Sequence, residues 1–473
     1  MGLLNNVRRW FGMIYKEKAR QDFDIESISS KEMDLFIQRC GNIYRGQPYW
    51  LDDEDEIKTV NFAKTICAET AKLTCLAVGI TIDGSARANW LQSQIDNIYF
   101  RLRDWVEFGC AYGTVALKPN GNTVDVVLPQ DFMVTSQNNG KIDGCVFYNK
   151  ATSSDGHTFY ARLEYHRFVE TAEGKLYMIS NECYVGEKED QLTKKVSIES
   201  TPWNNLLPEI GIIDIEKPLF SILKMPGANI IDTNSAMGIP RFADAIQELK
   251  DLDIAYSRNT EEIFDSRRTV LMDSDKLLPY NTTTISIISR AKEMARKMRL
   301  PRNVRNVENS ESTDFYQEIN PNLNTEMRMK GINALLSQIG FKCGFSNGYF
   351  VFNEKTGMVT ATQVEADDRR TIQTIKDCRD ALESCLDDLI YALDKFADLY
   401  DLAPVGAYKV TYDFGDLTYS YEEDKQTWWR YVQANKVPTW LYFVKFEGMS
   451  EQEAKAMVLE AQPQETGIFN FEE

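Results

Sequence analysis

The chain has 473 residues and carries 71 acidic against 53 basic side chains, for a formal net charge of −18. This length leaves room for about three domains of ordinary size and for a sizeable buried core. An acidic balance of this kind disfavours nucleic-acid binding over the whole surface, and no apolar run approaches the ~18–20 residues that cross a bilayer.

The basic and apolar residues of the first twenty positions recur at helical spacing. They fit a basic amphipathic helix at a membrane surface, or an N-terminal arm that packs on the protein or binds a partner. No signal-peptide cleavage pattern follows, which favours the arm, and we expect no membrane partner. The residues that form the pattern are Leu3, Leu4, Val7, Trp10, Phe11 and Ile14, with Arg8, Arg9, Lys16, Lys18 and Arg20.

Two helical patterns cover residues 58–78 and 90–108, and then the apolar period changes to two. Strand-like runs flank Pro119-Asn120-Gly121-Asn122, which is a strong hairpin signal. Three further strands are predicted around residues 145–148, 159–168 and 175–184. The sequence therefore predicts a mixed α+β domain that ends near Gly238.

Histidines and cysteines give no sign of a metal or redox site. His157 and His166 lie in this strand-rich part without an H-E-x-x-H motif or cysteine neighbours, and we interpret both as surface or structural residues. Nine cysteines are scattered through apolar patterns, and no C-x-x-C pair occurs. This usage predicts small buried hydrophobic side chains in a reducing compartment.

Two helices are predicted to bracket an insertion of about fifty residues. The first covers residues 240–267, and the second covers residues 322–340 and stops at Gly340 and Gly344. Between them the helical pattern is interrupted by short apolar stretches and prolines. Antiparallel helices that hold a small excursion at one end are the simplest geometry, because short-range connections dominate.

A long helix follows a segment rich in glycine and aromatic residues. Thr360 and Gln363 form a T-x-x-Q capping box, and apolar residues then recur at spacings of three and four as far as Leu399. A helix over residues 361–399 would be about 58 Å long. Its seam predicts packing along its whole length against another helix or against a copy of itself. The seam residues are Ile375, Cys378, Leu382, Cys385, Leu389, Ala392, Phe396 and Leu399.

The C-terminal part is predicted to be a small helical unit. Ser420 with Glu423, and Ser450 with Glu453, are two further capping boxes. They precede a tryptophan-rich helix around Trp428 and a short final helix.

Motifs of catalysis are missing from the sequence. A Walker A loop and a G-x-S-x-G elbow occur nowhere, and the acidic run at residues 52–56 lacks the spacing of a calcium loop. We therefore expect no catalytic residues, no metal and no cofactor. Carboxylates are plentiful, so a nuclease site stays open as a minor alternative.

One cluster reverses the acidic character of the chain. Seven basic residues fall within sixteen positions that contain a single acid, Glu293. Contact with nucleic acid or with an acidic protein is the functional interpretation, and a solvated helix face is the alternative. The basic residues are Arg290, Lys292, Arg296, Lys297, Arg299, Arg302 and Arg305.

The order of these parts resembles the portal proteins of tailed bacteriophages, of the siphophage type. The resemblance is carried by the opening M-G-L-L-N-N-V-R-R-W-F, by N-F-A-K-T-I-C-A-E-T-A-K-L at residues 61–73, by G-T-V-A-L-K-P at 113–119 and by V-L-P-Q-D-F at 127–132. The most specific motif is G-M-V-T-A-T-Q-V at residues 357–364, which is similar to the G-x-x-T-A-T-E-V that opens the family's long helix. Gln363 stands where the family often has Glu, and a capping box tolerates either residue.

The resemblance implies an α+β, mainly helical subunit with wing, stem, clip and crown regions that assembles as a ring. The implied regions are the wing at 1–238, stem helix 1 at 239–268, the clip at 269–321, stem helix 2 at 322–344, the tunnel-loop region at 345–361, the long tunnel or wing helix at 362–405, and the crown with the C-terminal tail at 406–473.

The resemblance also implies a structural role in the virion, at the capsid portal vertex, after assembly in the host cytoplasm. Double-stranded DNA would pass through a ring of, in most family members, twelve subunits. The terminase large subunit, the head-to-tail adaptor, and the major capsid and scaffold proteins would be further partners. Asn353, Glu354 and Lys355 are the candidate DNA-facing residues of the tunnel loop. Arg296, Lys297, Arg299 and Arg302 are the candidate clip contacts.

Two other function classes compete with this interpretation. A minor head or adaptor protein of the virion is one, although adaptors are generally much shorter chains. A nucleic-acid enzyme, such as a packaging ATPase or a nuclease, is the other, and the missing phosphate-binding loop disfavours it.

Overall fold

A computed structural model describes the fold of the chain. It describes residues 15–52, 57–121, 123–154, 156–172, 174–188, 192, 194–265, 269–272, 303–306, 316–319, 325–351, 361–415, 421–434 and 436–460. The chain forms two compact units, residues 1–75 with 79–412, and residues 76–78 with 413–473. Helices and strands occur in both mixed and separate runs, so the predicted α+β class is confirmed.

The first unit begins with a helix at residues 15–23, which packs on one face of a large sheet. Four labelled helices follow in its N-terminal part, α1 (Lys31–Tyr44), α2 (Phe62–Thr74), α3 (Ala86–Ile98) and α4 (Leu102–Tyr112). Helix α1 begins at Ser30, whose hydroxyl accepts a hydrogen bond from the Met33 N–H at 3.2 Å. Such a cap satisfies one of the free donors of the first helical turn.

The single helix predicted over residues 90–108 is wrong. Helices α3 and α4 are separated by a 3-10 turn, Tyr99–Arg101, and α4 ends at Gly113, whose φ of +79° suits glycine. Ile98 and Leu102 are buried on either side of the turn, while Phe100 is 77% exposed. The apolar spacing of three and four continues through the turn, and so the periodicity gave no sign of the break.

Nine strands follow α4 or precede α3 in this unit before the next long helix. They are β1 (Gly79–Asp83), β2 (Thr114–Asn120), β3 (Thr123–Val127), β4 (Phe132–Asn138), β5 (Lys141–Thr152), β6 (Phe159–Thr171), β7 (Gly174–Gly186), β8 (Lys194–Val196) and β9 (Glu209–Ile212). Strands β4 to β8 pair in chain order as an antiparallel sheet, and β9 pairs with β7.

The predicted hairpin at Pro119 is confirmed. Strands β2 and β3 pair antiparallel with Asn120 opposite Thr123, and Gly121 has a φ of +60°. A tenth strand, β10 (Ser221–Lys224), joins the other edge of β2 with Leu223 opposite Val115. The order β10-β2-β3 gives a second sheet, whose central strand is buried over Thr114 to Pro119.

Helix α5 (Ile246–Asp265) leaves this region after a 3-10 turn at Ala243–Ala245. Three short strands then form a small sheet, β11 (Thr269–Met272), β12 (Asn303–Asn306) and β13 (Tyr316–Ile319). Strand β11 lies in the middle, parallel to β12 and antiparallel to β13. Helix α6 (Thr325–Lys342) follows, so two helices bracket a small excursion as predicted.

The long helix α7 extends over Ala361–Leu399, as the sequence predicted to the residue at both ends. Its 39 residues are followed by a loop and by strand β14 (Lys409–Asp413), which pairs with β1.

The second unit contains α8 (Tyr421–Gln433), α9 (Thr439–Glu447) and α10 (Glu451–Glu460). Its core consists of Val432, Tyr442 and Phe446, and α9 was not predicted. The capping box at Ser450 is confirmed, because the Glu453 N–H donates to Ser450 Oγ at 3.3 Å and Glu453 Oε2 accepts from the Ser450 N–H at 3.1 Å. The box at Ser420 lies outside the described residues.

Candidate assembly surfaces

Helices α5 and α6 lie side by side and antiparallel. Near the start of α5, the Glu248 carboxylate accepts hydrogen bonds from Lys342 Nζ at 2.5 Å and from Gln338 Nε2 at 3.3 Å. Fourteen residues later in α5, Glu262 forms an ion pair with Arg328, which lies fourteen residues earlier in α6. These contacts at both ends set the register of the pair, and they bring its far end to the small β11–β13 sheet.

The near end of α5 is anchored in the first unit. The buried Asp253 accepts hydrogen bonds from Trp50 Nε1 at 2.9 Å and from the Val60 N–H at 2.8 Å, and Ser257 Oγ accepts from the Lys58 N–H at 2.8 Å. Burial raises the pKa of the Asp253 carboxyl, although these donors act in the opposite direction. The segment 58–60 is thereby fastened to α5, and α5 is held at a fixed angle where it leaves the body.

One residue of α6 departs from the sequence prediction. Ile332, Leu336 and Ile339 are buried as expected, but Met327, which belongs to the same predicted apolar set, is 74% exposed. Gly331 and Ala334 are also exposed and share a face with Met327, since spacings of four and three return to one side of a helix. We call Met327, Gly331 and Ala334 the outer stripe of α6.

The apolar seam of α7 is buried within the chain. Cys378, Leu382, Cys385, Leu389 and Ala392 are at most 1% exposed. The helix packs on strands β2 and β10 and on helices α2 and α3. The prediction that the seam packs along its whole length on another helix or on a copy of itself is therefore wrong for the described residues. The seam by itself gives no argument for oligomerisation.

Polar contacts hold α7 in this position. Arg379, which is 7% exposed, donates to the carbonyl oxygens of Leu73 and Thr74, each at 3.2 Å. Ser221 Oγ donates to the Cys385 carbonyl at 2.5 Å, and Tyr391 Oη accepts from the Glu216 N–H at 2.9 Å. The helix is thus fixed to α2 and to the segment around β10.

The segment between α6 and α7 is also fastened down at its beginning. Gly344 and Gly348 have φ values of +87° and +79°, which are open to glycine. Thr374 Oγ1 on α7 donates to the Gly344 carbonyl at 2.8 Å, and Thr371 Oγ1 accepts from the Ser346 N–H at 2.8 Å.

Aromatic residues complete this attachment. Phe345 is fully buried, and its ring lies 4.7 Å from that of Phe350, which lies 5.2 Å from that of Phe62. The sequence left open whether these rings pack on a neighbouring subunit, and the structure packs them within the chain. The candidate tunnel-loop residues Asn353, Glu354 and Lys355 lie outside the described residues.

The exposed side of α7 is acidic. Asp377, Asp380 and Asp387 are exposed, and Glu383 lies between them on the same face. Partial burial, and after it the carboxylates of Asp387 and Asp380, raise the pKa of Glu383. A surface of this charge repels phosphate, so it suits a face past which DNA slides and disfavours one that holds DNA.

The basic cluster falls almost wholly outside the described residues, including the candidate clip contacts Arg296, Lys297, Arg299 and Arg302. For Arg305 the structure gives only its place in strand β12, and Asn306 follows it at the end of that strand.

A buried charged cluster lies between the two sheets of the first unit. Glu164 forms ion pairs with Lys118 and, at 2.8 Å, with Arg162, and its other oxygen lies 3.1 Å from His166 Nε2. Burial would raise the pKa of Glu164, but the charges of Lys118 and Arg162 outweigh it and hold the pKa well below the usual range.

His166 is held in one tautomer by its neighbours. The Leu219 N–H donates to Tyr177 Oη at 2.9 Å, so the Tyr177 hydroxyl proton is left to donate to His166 Nδ1 at 2.8 Å. Nε2 then carries the ring proton and donates to Glu164. Burial lowers the pKa of His166, so the ring is neutral at pH 7. This histidine is 2% exposed, which agrees with its interpretation as a structural residue.

The described residues offer little for catalysis. No group of three or more metal-ligating side chains occurs among them. Burial raises the pKa of all nine thiols, for example those of Cys40 and Cys343 to about 12, so they remain protonated and poor nucleophiles. Within the described residues, no helix is long and apolar enough to cross a bilayer.

Comparisons with known proteins leave the family undetermined. No family model matches the chain, and no curated protein matches it in sequence. The chain is similar to one in a solved structure described as "Neck of native GTA particle computed with C12 symmetry". The likeness covers 93% of this chain and 96% of that one, with a TM-score of 0.39 and 10% identity. A likeness of this degree is too weak to establish a shared fold.

Proposed function

We propose that the protein is a structural component of a tailed-phage virion and, more specifically, a subunit of the portal ring. The observation that carries the proposal is the succession of α5, a small sheet, α6 and the 39-residue α7. The portal resemblance implies this succession as stem helix, clip, stem helix and long helix. The antiparallel contacts of Glu248 and Glu262 support it, because they make α5 and α6 one stalk that presents the segment between them.

In this proposal the stalk and α7 have different tasks. The seam of α7 stabilises each subunit, since it is buried against strands and helices of the same chain. The surfaces for neighbouring subunits are then left to the outside of the stalk, where Met327 is 74% exposed.

The charge distribution supports a conduit. Each phosphate that a protein neutralises releases counterions and adds affinity, so a basic channel would retain DNA. The acidic side of α7, with Asp377, Asp380 and Asp387, has the opposite character. We assign Asn353, Glu354 and Lys355 to a loop near the channel axis, and the basic residues of the clip to contacts with the terminase and the adaptor.

The protein then has no catalytic task of its own, and a separate packaging motor supplies the work. Neither ATP nor DNA is expected to be hydrolysed by the purified chain, since it lacks a phosphate-binding loop.

Imaging of the purified protein tests the proposal. Negative-stain class averages should show closed rings with a central hole. Particles without a hole, at micromolar protein concentration and in several salts, would contradict it. Rings that lack any capacity to bind a terminase or an adaptor would favour another virion component.

A further inference from the structure

The outer stripe of α6 has no explanation within one subunit. A glycine inside an exposed helix costs about 1 kcal/mol relative to alanine, because it leaves the backbone too free in the unfolded chain. Gly331 does not have a positive φ, and a Cβ on it would meet no described atom within 4 Å. Neither backbone conformation nor crowding inside the described chain therefore requires glycine at this position.

Close approach by another molecule would account for it. Small residues on a helix surface allow a second helix backbone to approach closely, and a large exposed apolar residue beside them adds buried area. Gly331 and Ala334 are the small residues, and Met327 is the large one. The three lie roughly opposite Ile332, Leu336 and Ile339, which face into the subunit.

The charges of the two stalk helices indicate which helix would fit. Helix α5 has six acidic and two basic residues, whereas α6 has one acidic and three basic residues. Two α6 helices from different copies would therefore meet with like charge. An α6 helix against the α5 helix of another copy would meet with opposite charge, which favours that encounter.

The register of the stalk identifies a charged pair for this contact. Glu262 lies level with Arg328, so Glu261 and Lys330 differ in height by about one residue, or ~1.5 Å. Rotation about an axis parallel to the stalk preserves height, so the two residues stay level between neighbouring copies. Both are exposed, and Glu261 has no ion-pair partner among the described residues.

We propose that the outer stripe of α6, Met327, Gly331 and Ala334, packs against helix α5 of a second copy of this chain, with Lys330 opposite Glu261 of that copy. The inference rests on the proposed ring and specifies its contact. The same surface is used once as α6 and once as α5 in each subunit, so the contact is head to tail. Contacts of this kind close into rings when the rotation allows it.

Charge exchange tests the pair. Glu261→Lys and Lys330→Glu should each weaken assembly, by about tenfold in the dissociation constant of neighbouring subunits, because like charges then face each other. The double variant E261K/K330E should recover assembly, since it restores the attraction. Glu326→Lys is the matched control, because Glu326 is an exposed α6 residue about 100° around the helix from the stripe, and it should assemble as the wild type does.

A bulky residue tests the close approach. Gly331→Trp should abolish assembly while the subunit keeps its thermal midpoint, since the position is open within the chain and tryptophan is a better helix former than glycine. Glu326→Trp is the matched control and should assemble normally.

The outcomes separate the two proposals. A wild-type protein that remains monomeric overturns both the ring and this contact. Wild-type rings that persist in Gly331→Trp, or a double variant that fails to recover assembly, overturn the contact and leave the ring proposal standing.

Discussion

Arg87 on α3 forms an ion pair with Asp398 at the end of α7, although the two residues are 311 positions apart in the chain. The guanidinium is 1% exposed, and it also donates to the carbonyl oxygens of Asp394 at 2.8 Å and Pro404 at 3.1 Å. One side chain thus fastens the end of the long helix, and the loop after it, to the N-terminal helices.

Replacement of Arg87 by methionine should therefore destabilise the subunit. Two carbonyl oxygens would lose their donor, and Asp394 and Asp398 would lose their countercharge. Because both carboxylates are partly hydrated, we expect a loss of about 2–4 kcal/mol, in the lower part of the range for broken buried pairs. Urea unfolding followed by tryptophan fluorescence measures it. Lys72→Met, which removes an exposed pair with Glu69, is the control and should change stability by less than about 1 kcal/mol.

The stability of the first unit should depend on pH through His166. Its pKa is lowered in the folded state, so below about pH 6.5 the unfolded chain binds a proton that the folded chain does not. Stability should consequently fall as the pH is lowered from 7.5 to 5, with a slope of at most about 1.4 kcal/mol per pH unit from this group.

The variant His166→Gln should show a flatter pH dependence, even though it is less stable at both pH values. His157→Gln, at the exposed histidine, should keep the wild-type slope. An unchanged slope in His166→Gln would mean that the ring is not held neutral. Glu164, whose pKa is depressed, contributes stability above about pH 4.3, and this contribution is lost only as the pH falls further toward its folded pKa.

The seam of α7 should stabilise single subunits and not the contact between them. Leu389→Ala should lower the free energy of unfolding by about 2–5 kcal/mol, because Leu389 is fully buried against the same chain. The loss should be the same at low and high protein concentration. A loss that appears only at concentrations where the protein assembles would return the seam to an intersubunit role. Asp380→Ala, on the exposed side of the same helix, is the control.

Local patterns of the sequence were sufficient for the long helix. Its first and last residues follow from the periodicity between Ile375 and Leu399, and a capping box in the sequence also located the start of α10. The partner of the seam could not be obtained in this way. Strands β2 and β10 lie far from α7 in the chain, and β10 has only four residues, too few to show an alternating pattern.

The candidate assembly surface was hidden for a related reason. Met327 fits the apolar period of α6 as well as Ile332 does, since periodicity cannot tell which apolar residues a single subunit buries. Met327 and Gly331 became informative only when the structure showed both to be exposed. Conversely, the buried Thr70 interrupted the predicted stripe of α2, although its hydroxyl is satisfied by the Ile66 carbonyl at 2.8 Å.

The basic cluster makes a prediction about partners. Reversal of Arg296, Lys297, Arg299 and Arg302 to glutamate should abolish binding of the terminase or the adaptor, because four attractive charges become repulsive. Ring assembly should be unaffected, since the cluster belongs to the segment between α5 and α6. Pull-down with either partner measures binding, and unchanged affinity would leave the cluster as a solvated basic surface. Lys188, Lys194 and Lys195, reversed together, provide a charge-matched comparison outside that segment.

The mass of the particle in solution tests the ring most directly. Twelve subunits of 54.3 kDa give about 650 kDa. Mass photometry at several salt concentrations should show one discrete species near this mass, or near another whole multiple that corresponds to a closed ring. Only monomers and dimers at micromolar concentration, with subunits that are folded by circular dichroism, would contradict the account.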